Sequence, residues 1–186
     1  MTTSWRNGSR RSKNVAEPLI PEKAKLFAGI LYRDSADLSS IEEKLNEHFG
    51  PSDLCSGPIL FDNTEYYREI GEPLYKVLLS FERLMDREEI AAIKLLTNSL
   101  EDIHSTGGQR RVNIDPGYMT LANVFLASCK DFYHRVYLQK GVYLENEYHY
   151  SGKQFRFWPW TYPDYKKTEY LEFFYEMRRI YYRQVR

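Results

Sequence analysis

The stretch RRVNIDPGYMTL, residues 110 to 121, decides how the rest of the chain is read. Arg111, Asn113 and Asp115 alternate with Val112 and Ile114, the two-residue period of a strand with one apolar and one polar face. Pro116-Gly117 breaks the alternation and reads as a turn. A polar strand face is either solvated surface or the floor of a binding site, so the same residues pose the question of fold and the question of function.

Working back towards the N-terminus, Asp86 and Glu89 have capping-box spacing. Ile90, Ile93, Leu96, Leu100 and Ile103 then recur at helical intervals up to Gly107-Gly108. Before that helix, YKVLLSFE (75 to 82) and GPILFD (57 to 62) read as strands, with the polar and aromatic NTEYYREIGEPL between them. LSSIEEKLNEHFGP reads as a helix with Ser40 and Glu43 at its start, Ile41, Leu45 and Phe49 on one stripe, and Gly50-Pro51 at its end. KLFAGILY (25 to 32) is a continuous apolar run, as expected of a strand buried on both faces. From 25 to 115 the order is strand, helix, strand, strand, helix, strand. The predicted class is therefore α+β with a ferredoxin-like βαββαβ first half.

Beyond residue 115, NVFLASCKD, HRVYLQ, GVYLENEYHY and QFRFWPW are strand-like, with QKG and SGK as hairpin turns. NVFLASC has a composition that also suits a helix. A final helix is expected from Thr168 to Arg186. This second half is an antiparallel β extension followed by a C-terminal helix. Residues 1 to 20 hold Arg6, Arg10, Arg11 and Lys13 with little apolar surface and read as a flexible basic tail; residues 21 to 186 read as a single α+β domain.

Composition bounds the function. The 186 residues carry 26 basic and 26 acidic side chains, so no whole-molecule field gathers DNA or an anionic membrane, and any anion site must be local. No apolar run approaches the ~20 residues of a membrane helix. Two cysteines, Cys55 and Cys129, without a secretory signal suggest a soluble cytoplasmic protein, with Cys129 acting as a small buried hydrophobe. The four histidines and two cysteines lack metal-ligand spacing, so no metal site is expected. No P-loop, Rossmann, hydrolase-elbow or zinc-protease pattern is present, and the residues name no cofactor and no reaction.

The strongest cluster is basic: Arg110, Arg111, Asn113 and Asp115 on the polar strand, joined by Lys130, His134 and Arg135. If these strands lie near each other, guanidinium forks and an imidazole converge on one face, a chemistry suited to phosphate. The expected ligand is a phosphate-bearing small molecule, a nucleotide, or an RNA end; the bland reading is a set of ion pairs on a wet surface. Two weaker candidates are the acidic loop of Asp62, Glu65, Glu69 and Glu72, and the α-helical trio Lys94, Asn98 and Glu101, read as solvated surface. Most of the 16 tyrosines lie after residue 130. They read as core rings with hydroxyls at the edge, or alternatively as the surface of a non-enzymatic interaction module.

Several phrases taken together, FAGILYRD, FDNTEYYREIGEPL, LLSFERLMD, IKLLTNSLE, RRVNIDPGYMTL, HRVYLQKGVYLE and WPWTYPDYKKTEYLEFF, resemble the bacterial and archaeal family catalogued as domain of unknown function 4416, in the same order from residue 21 onward. The resemblance implies no assigned reaction, cofactor or catalytic residue.

Overall fold

The computed structural model describes residues 17–62 and 65–186. The basic tail expected over residues 1 to 20 lies, up to residue 16, outside the described residues. The fold is built on one mixed helix and sheet arrangement in which all strand neighbours are antiparallel. In chain order the elements are β1 (Ala24–Tyr32), α1 (Ser35–Phe49), β2 (Ser52–Cys55), β3 (Ile59–Phe61), β4 (Leu74–Met85), α2 (Ile90–Ile103), β5 (Val112–Met119), β6 (Asn123–Ser128), β7 (Val136–Gln139), β8 (Val142–Ser151), β9 (Gln154–Phe157) and α3 (Thr168–Val185). The sheet runs β2-β4-β1-β5-β6-β8-β7, with β3 also on β4 and β9 also on β8.

β1 is buried along its whole length, which accounts for its unbroken apolar sequence. Its even-numbered residues Leu26, Ala28 and Ile30 meet α1 (Ile41, Leu45, Phe49) and α2 (Ile90, Ile93, Leu100) on one face. Phe27 on the other face meets α3 through Phe174, ring centroids 5.0 Å apart and nearly perpendicular. The tyrosines expected in the core are there: Tyr148 and Tyr165 are buried against α3, and Tyr170 and Tyr181 are on its buried face. Three of the hydroxyls are anchored: Tyr181 donates to the Lys23 carbonyl at 2.6 Å, Tyr148 to the Tyr165 carbonyl and Tyr170 to Asp164 Oδ2 at 3.2 Å. Lys25, fully buried, ties this layer together: its Nζ donates to Asp53 Oδ2 (2.6 Å), the Phe81 carbonyl (2.8 Å) and Gln184 Oε1 of α3 (3.1 Å).

Several local expectations need correction. α1 starts five residues before the Ser40 suggested by spacing, because Asp34 caps it by accepting the Ala36 N–H at 2.9 Å. The Asp86/Glu89 capping box does form, with the Asp86 N–H donating to Glu89 Oε2 at 2.9 Å. β2 was not anticipated, since SDLC is short and half exposed. NVFLASC adopts the strand alternative as β6.

The largest correction concerns Pro116-Gly117, which does not turn the chain: β5 runs straight through both residues. β5 pairs with β1 from Val112 to Met119 but with β6 only at Gly117, Tyr118 and Met119. Up to Pro116 one edge of β5 is therefore without a strand partner. The Ile114 N–H and C=O both point to that edge, and two residues later Pro116 has the same orientation, so its missing N–H falls where no ladder bond exists. Gly117 sits where β5 and β6 close together. A Cβ there would lie 2.2 Å from the Phe125 carbonyl oxygen and 2.5 Å from Phe27 Cζ.

Gly117→Ala is accordingly expected to cost about 3 kcal/mol, the upper end of overpacking penalties, because the nearest obstacle is backbone and cannot rotate away. Chemical denaturation measures it; a loss below about 1 kcal/mol would show that β5 and β6 separate easily.

Candidate functional site

Past Gly117 the two central strands diverge. β5 continues along β1 while β6 follows β8, and the wedge between them is a cavity of about 630 Å³. One wall is the polar face of β5 with Asn113 and Asp115; the opposite wall is Leu126 to Lys130 at the end of β6. α2 closes one side with Lys94, Asn98 and Glu101, and Tyr162 to Tyr165 with Lys76 close the other.

Six of the lining side chains are buried polar or charged groups: Lys76, Lys94, Glu101, Asn113, Glu145 and Asp164. Buried charges persist only when paired or hydrogen-bonded, and here the pairings are specific. Lys94 Nζ donates to the Ile114 carbonyl at 2.9 Å and stands 3.7 Å from Asp115 Oδ1. Glu101 Oε1 accepts the Ile114 N–H at 2.7 Å. The helix face read as wet surface thus supplies both missing partners of the open β5 edge. Asn113 Oδ1 accepts from Arg110 Nη1 at 3.1 Å, and its amide donates to Asp115 Oδ2 at 2.9 Å. Lys76 Nζ meets Asp164 Oδ2 at 3.2 Å while lying over the rings of Tyr165 and Phe61.

Of the seven residues singled out from sequence, Arg110, Asn113, Asp115 and Lys130 line this cavity. Arg111 does not. It precedes the first residue of β5, so strand alternation does not govern it, and it pairs with Asp37 of α1 (Nη2 to Oδ2, 2.9 Å) beside a separate hollow of about 230 Å³. His134 and Arg135 stand behind the wall rather than in it. His134 Nε2 is 2.7 Å from Glu145 Oε2, and Arg135 Nη2 is 3.1 Å from Glu145 Oε1. Arg135 also donates to the Tyr162 hydroxyl (2.7 Å) and the Lys130 carbonyl (2.9 Å), so it fixes three lining residues at once. Behind it His134 stacks on Trp160, Trp160 on Trp158, and Trp158 meets His149.

Of the acidic loop, Asp62 pairs with Lys167 at 3.0 Å and Glu69 with Arg110, whose guanidinium also lies over the Tyr67 ring; the Glu65 side chain lies outside the described residues. Among the described residues no three His, Cys, Asp or Glu side chains are placed to share a metal ion. Cys129, expected to be buried, is exposed at the end of β6 and accepts from Asn98 Nδ2 at 3.3 Å.

Two carboxyls are driven towards neutrality. Burial pushes Glu101 up to about 7, against the pull of Lys94, the Ile114 N–H and Arg110. Burial also pushes Glu147, on β8, up to about 8, with the nearby Glu145 charge adding to the effect. A bulge, where Val124 faces Tyr148 but Phe125 faces Asn146, takes Glu147 out of strand alternation. Its Oε2 accepts the Tyr162 N–H at 3.2 Å, and its Oε1 has no hydrogen-bond partner among the described residues.

A carboxyl whose folded value lies above its ordinary 4.5 binds more protons folded than unfolded, so stability falls as pH rises from about 4.5 through about 8. Glu147→Gln removes this share of the decline. The variant should gain on wild type steadily across that window, as followed by urea denaturation at several pH values; parallel curves would mean that Glu147 is solvated.

No helix among the described residues is long and apolar enough to cross a membrane. No curated protein and no solved structure matches the chain. The profile described as domain of unknown function (DUF4416) matches residues 22–181, and the chain belongs to that family.

Proposed function

We propose that the wedge cavity binds a small phosphate-bearing ligand, with Arg110 and Lys130 meeting the phosphate at its opening. The observation that carries this reading is the gathering of six buried polar side chains around one hollow of about 630 Å³, a size suited to a mononucleotide or sugar phosphate. Arg110 is half-buried and Lys130 exposed, so both reach the rim. Three of the five carboxyls lining the cavity are matched by cations, Asp164 by Lys76, Asp115 by Lys94, and Glu145 by His134 and Arg135, and burial pushes a fourth, Glu101, towards neutrality. Asn113 and Asp115 form the floor, while His134 and Arg135 hold the wall. Arg111 serves the adjoining hollow rather than the same ligand. Phe61 and Tyr67 offer ring faces for a base.

The first half reads as a ferredoxin-like unit, since β2-β4-β1-β5 with α1 and α2 on one face is the strand order of two split βαβ halves. Two unbridged cysteines support a reducing, cytoplasmic setting.

Thermal unfolding with inorganic phosphate, adenosine monophosphate and a 5′-phosphorylated oligoribonucleotide tests the binding reading and separates small ligands from an RNA end. A ligand at ~100 times its dissociation constant stabilises by about 2.7 kcal/mol. Arg110→Ala should abolish that gain. The absence of a shift with every probe would refute the proposal.

A second reading, self-association, is favoured by β7. This edge strand is exposed throughout, with Val136 and Tyr137 65% and 58% accessible, and Phe132 and Tyr133 are exposed just before it. An open apolar edge is a template for a second strand. Sedimentation should then show a dimer that Tyr137→Lys dissociates; a concentration-independent monomer would eliminate this reading.

A further inference from the structure

Glu101 differs from the other carboxylates of the cavity in how its two oxygens are used. The residue is only 7% accessible, and the backbone pins Oε1 through the Ile114 N–H at 2.7 Å. Oε2 has no hydrogen-bond partner among the described residues; Arg110 Nη1 stands 3.8 Å away, beyond hydrogen-bond reach. Glu101 lines the cavity, and with Oε1 held by the backbone it is Oε2 that is left for an arriving donor.

The surroundings restrict the donor. Lys94 and Glu101 hold the C=O and the N–H of one residue, Ile114, and Arg110 Nη1 stands 3.8 Å from Glu101 Oε2. A third cation, such as a ligand ammonium, would meet both positive charges at close range. A neutral O–H meets no such repulsion. Because the guanidinium assigned to the phosphate stands only 3.8 Å from Oε2, the hydroxyl must be attached within a few bonds of phosphorus.

We propose that Glu101 Oε2 accepts a ligand hydroxyl, which makes the ligand a hydroxylated phosphate ester: a sugar phosphate, free or as the ribose phosphate of a nucleotide. This inference rests on the phosphate reading of the cavity and adds the second recognition point. Glu101 is thereby a specificity residue, and Lys94 and Ile114 position it.

Isothermal titration with ribose 5-phosphate and n-butyl phosphate, two monoesters of which only the first carries hydroxyls, tests it. At a pH well above 7 the wild-type protein should bind ribose 5-phosphate about tenfold more tightly, the effect of one hydrogen bond to a charged group. Glu101→Gln keeps an amide oxygen for the Ile114 N–H but turns a donor towards the cavity. Removing the negative charge beside Arg110 shifts the affinity for both esters alike, so the readout is their ratio, which should fall to about one. Equal wild-type affinities, or a preference that survives Glu101→Gln, would overturn the hydroxyl assignment and leave the phosphate site standing. Failure of both esters to bind would remove both.

Discussion

The backbone of Ile114 is the point on which this architecture turns. In a continuous sheet its N–H and C=O would belong to the ladder with the next strand; here Glu101 and Lys94 of α2 take them instead. An open strand edge inside a protein is normally costly, because every buried N–H and C=O requires a partner. By answering both Ile114 groups with side chains, α2 satisfies the backbone of β5 at the point where β5 and β6 have separated. The cavity is the volume that this substitution creates. Pro116 follows from the same arrangement, as a residue with no N–H to lose on that edge, and Gly117 marks where the ladder resumes.

Filling a sheet interior with charge is expensive unless each charge is compensated, and most charges around the wedge are compensated by groups already fixed by secondary structure. Glu145 is gripped by His134 and Arg135 together, and Asp164 accepts from both Lys76 and the Tyr170 hydroxyl. Such networks are rigid, because moving one member strands its partners in a low-dielectric medium. The cavity is therefore a preorganised polar surface. Arg110, shared among Glu69, Asn113 and the Tyr67 ring, and Lys130, on the exposed rim, provide its adaptable side.

Element order was legible because it depends on local periodicity: Ile90 to Ile103 repeat as a helix must, and KLFAGILY is apolar as a doubly covered strand must be. The site was only half legible, and the reasons are particular. Strand parity placed Asn113 and Asp115 on the cavity face but gave the wrong partner for Arg111, which lies outside the strand where parity holds. Lys94 and Glu101 share a helix face, and nothing in that spacing distinguishes a wet face from one plugged into a sheet edge; the distinction depends on strand divergence, a non-local property. Glu147 escaped because a bulge shifts its register. Lys76 and Asp164 escaped because they are 88 positions apart and meet only in the folded chain.

The ring column behind the wall gives the molecule an optical property. Trp158 and Trp160 lie nearly parallel, 4° apart in tilt with centroids separated by 5.3 Å, and His134 stacks on Trp160 while contacting Glu145. Indoles held this closely share their excited states, so the pair absorbs and emits as a unit. Intrinsic fluorescence and near-ultraviolet dichroism of the protein therefore report the state of the polar wall directly, without an attached dye.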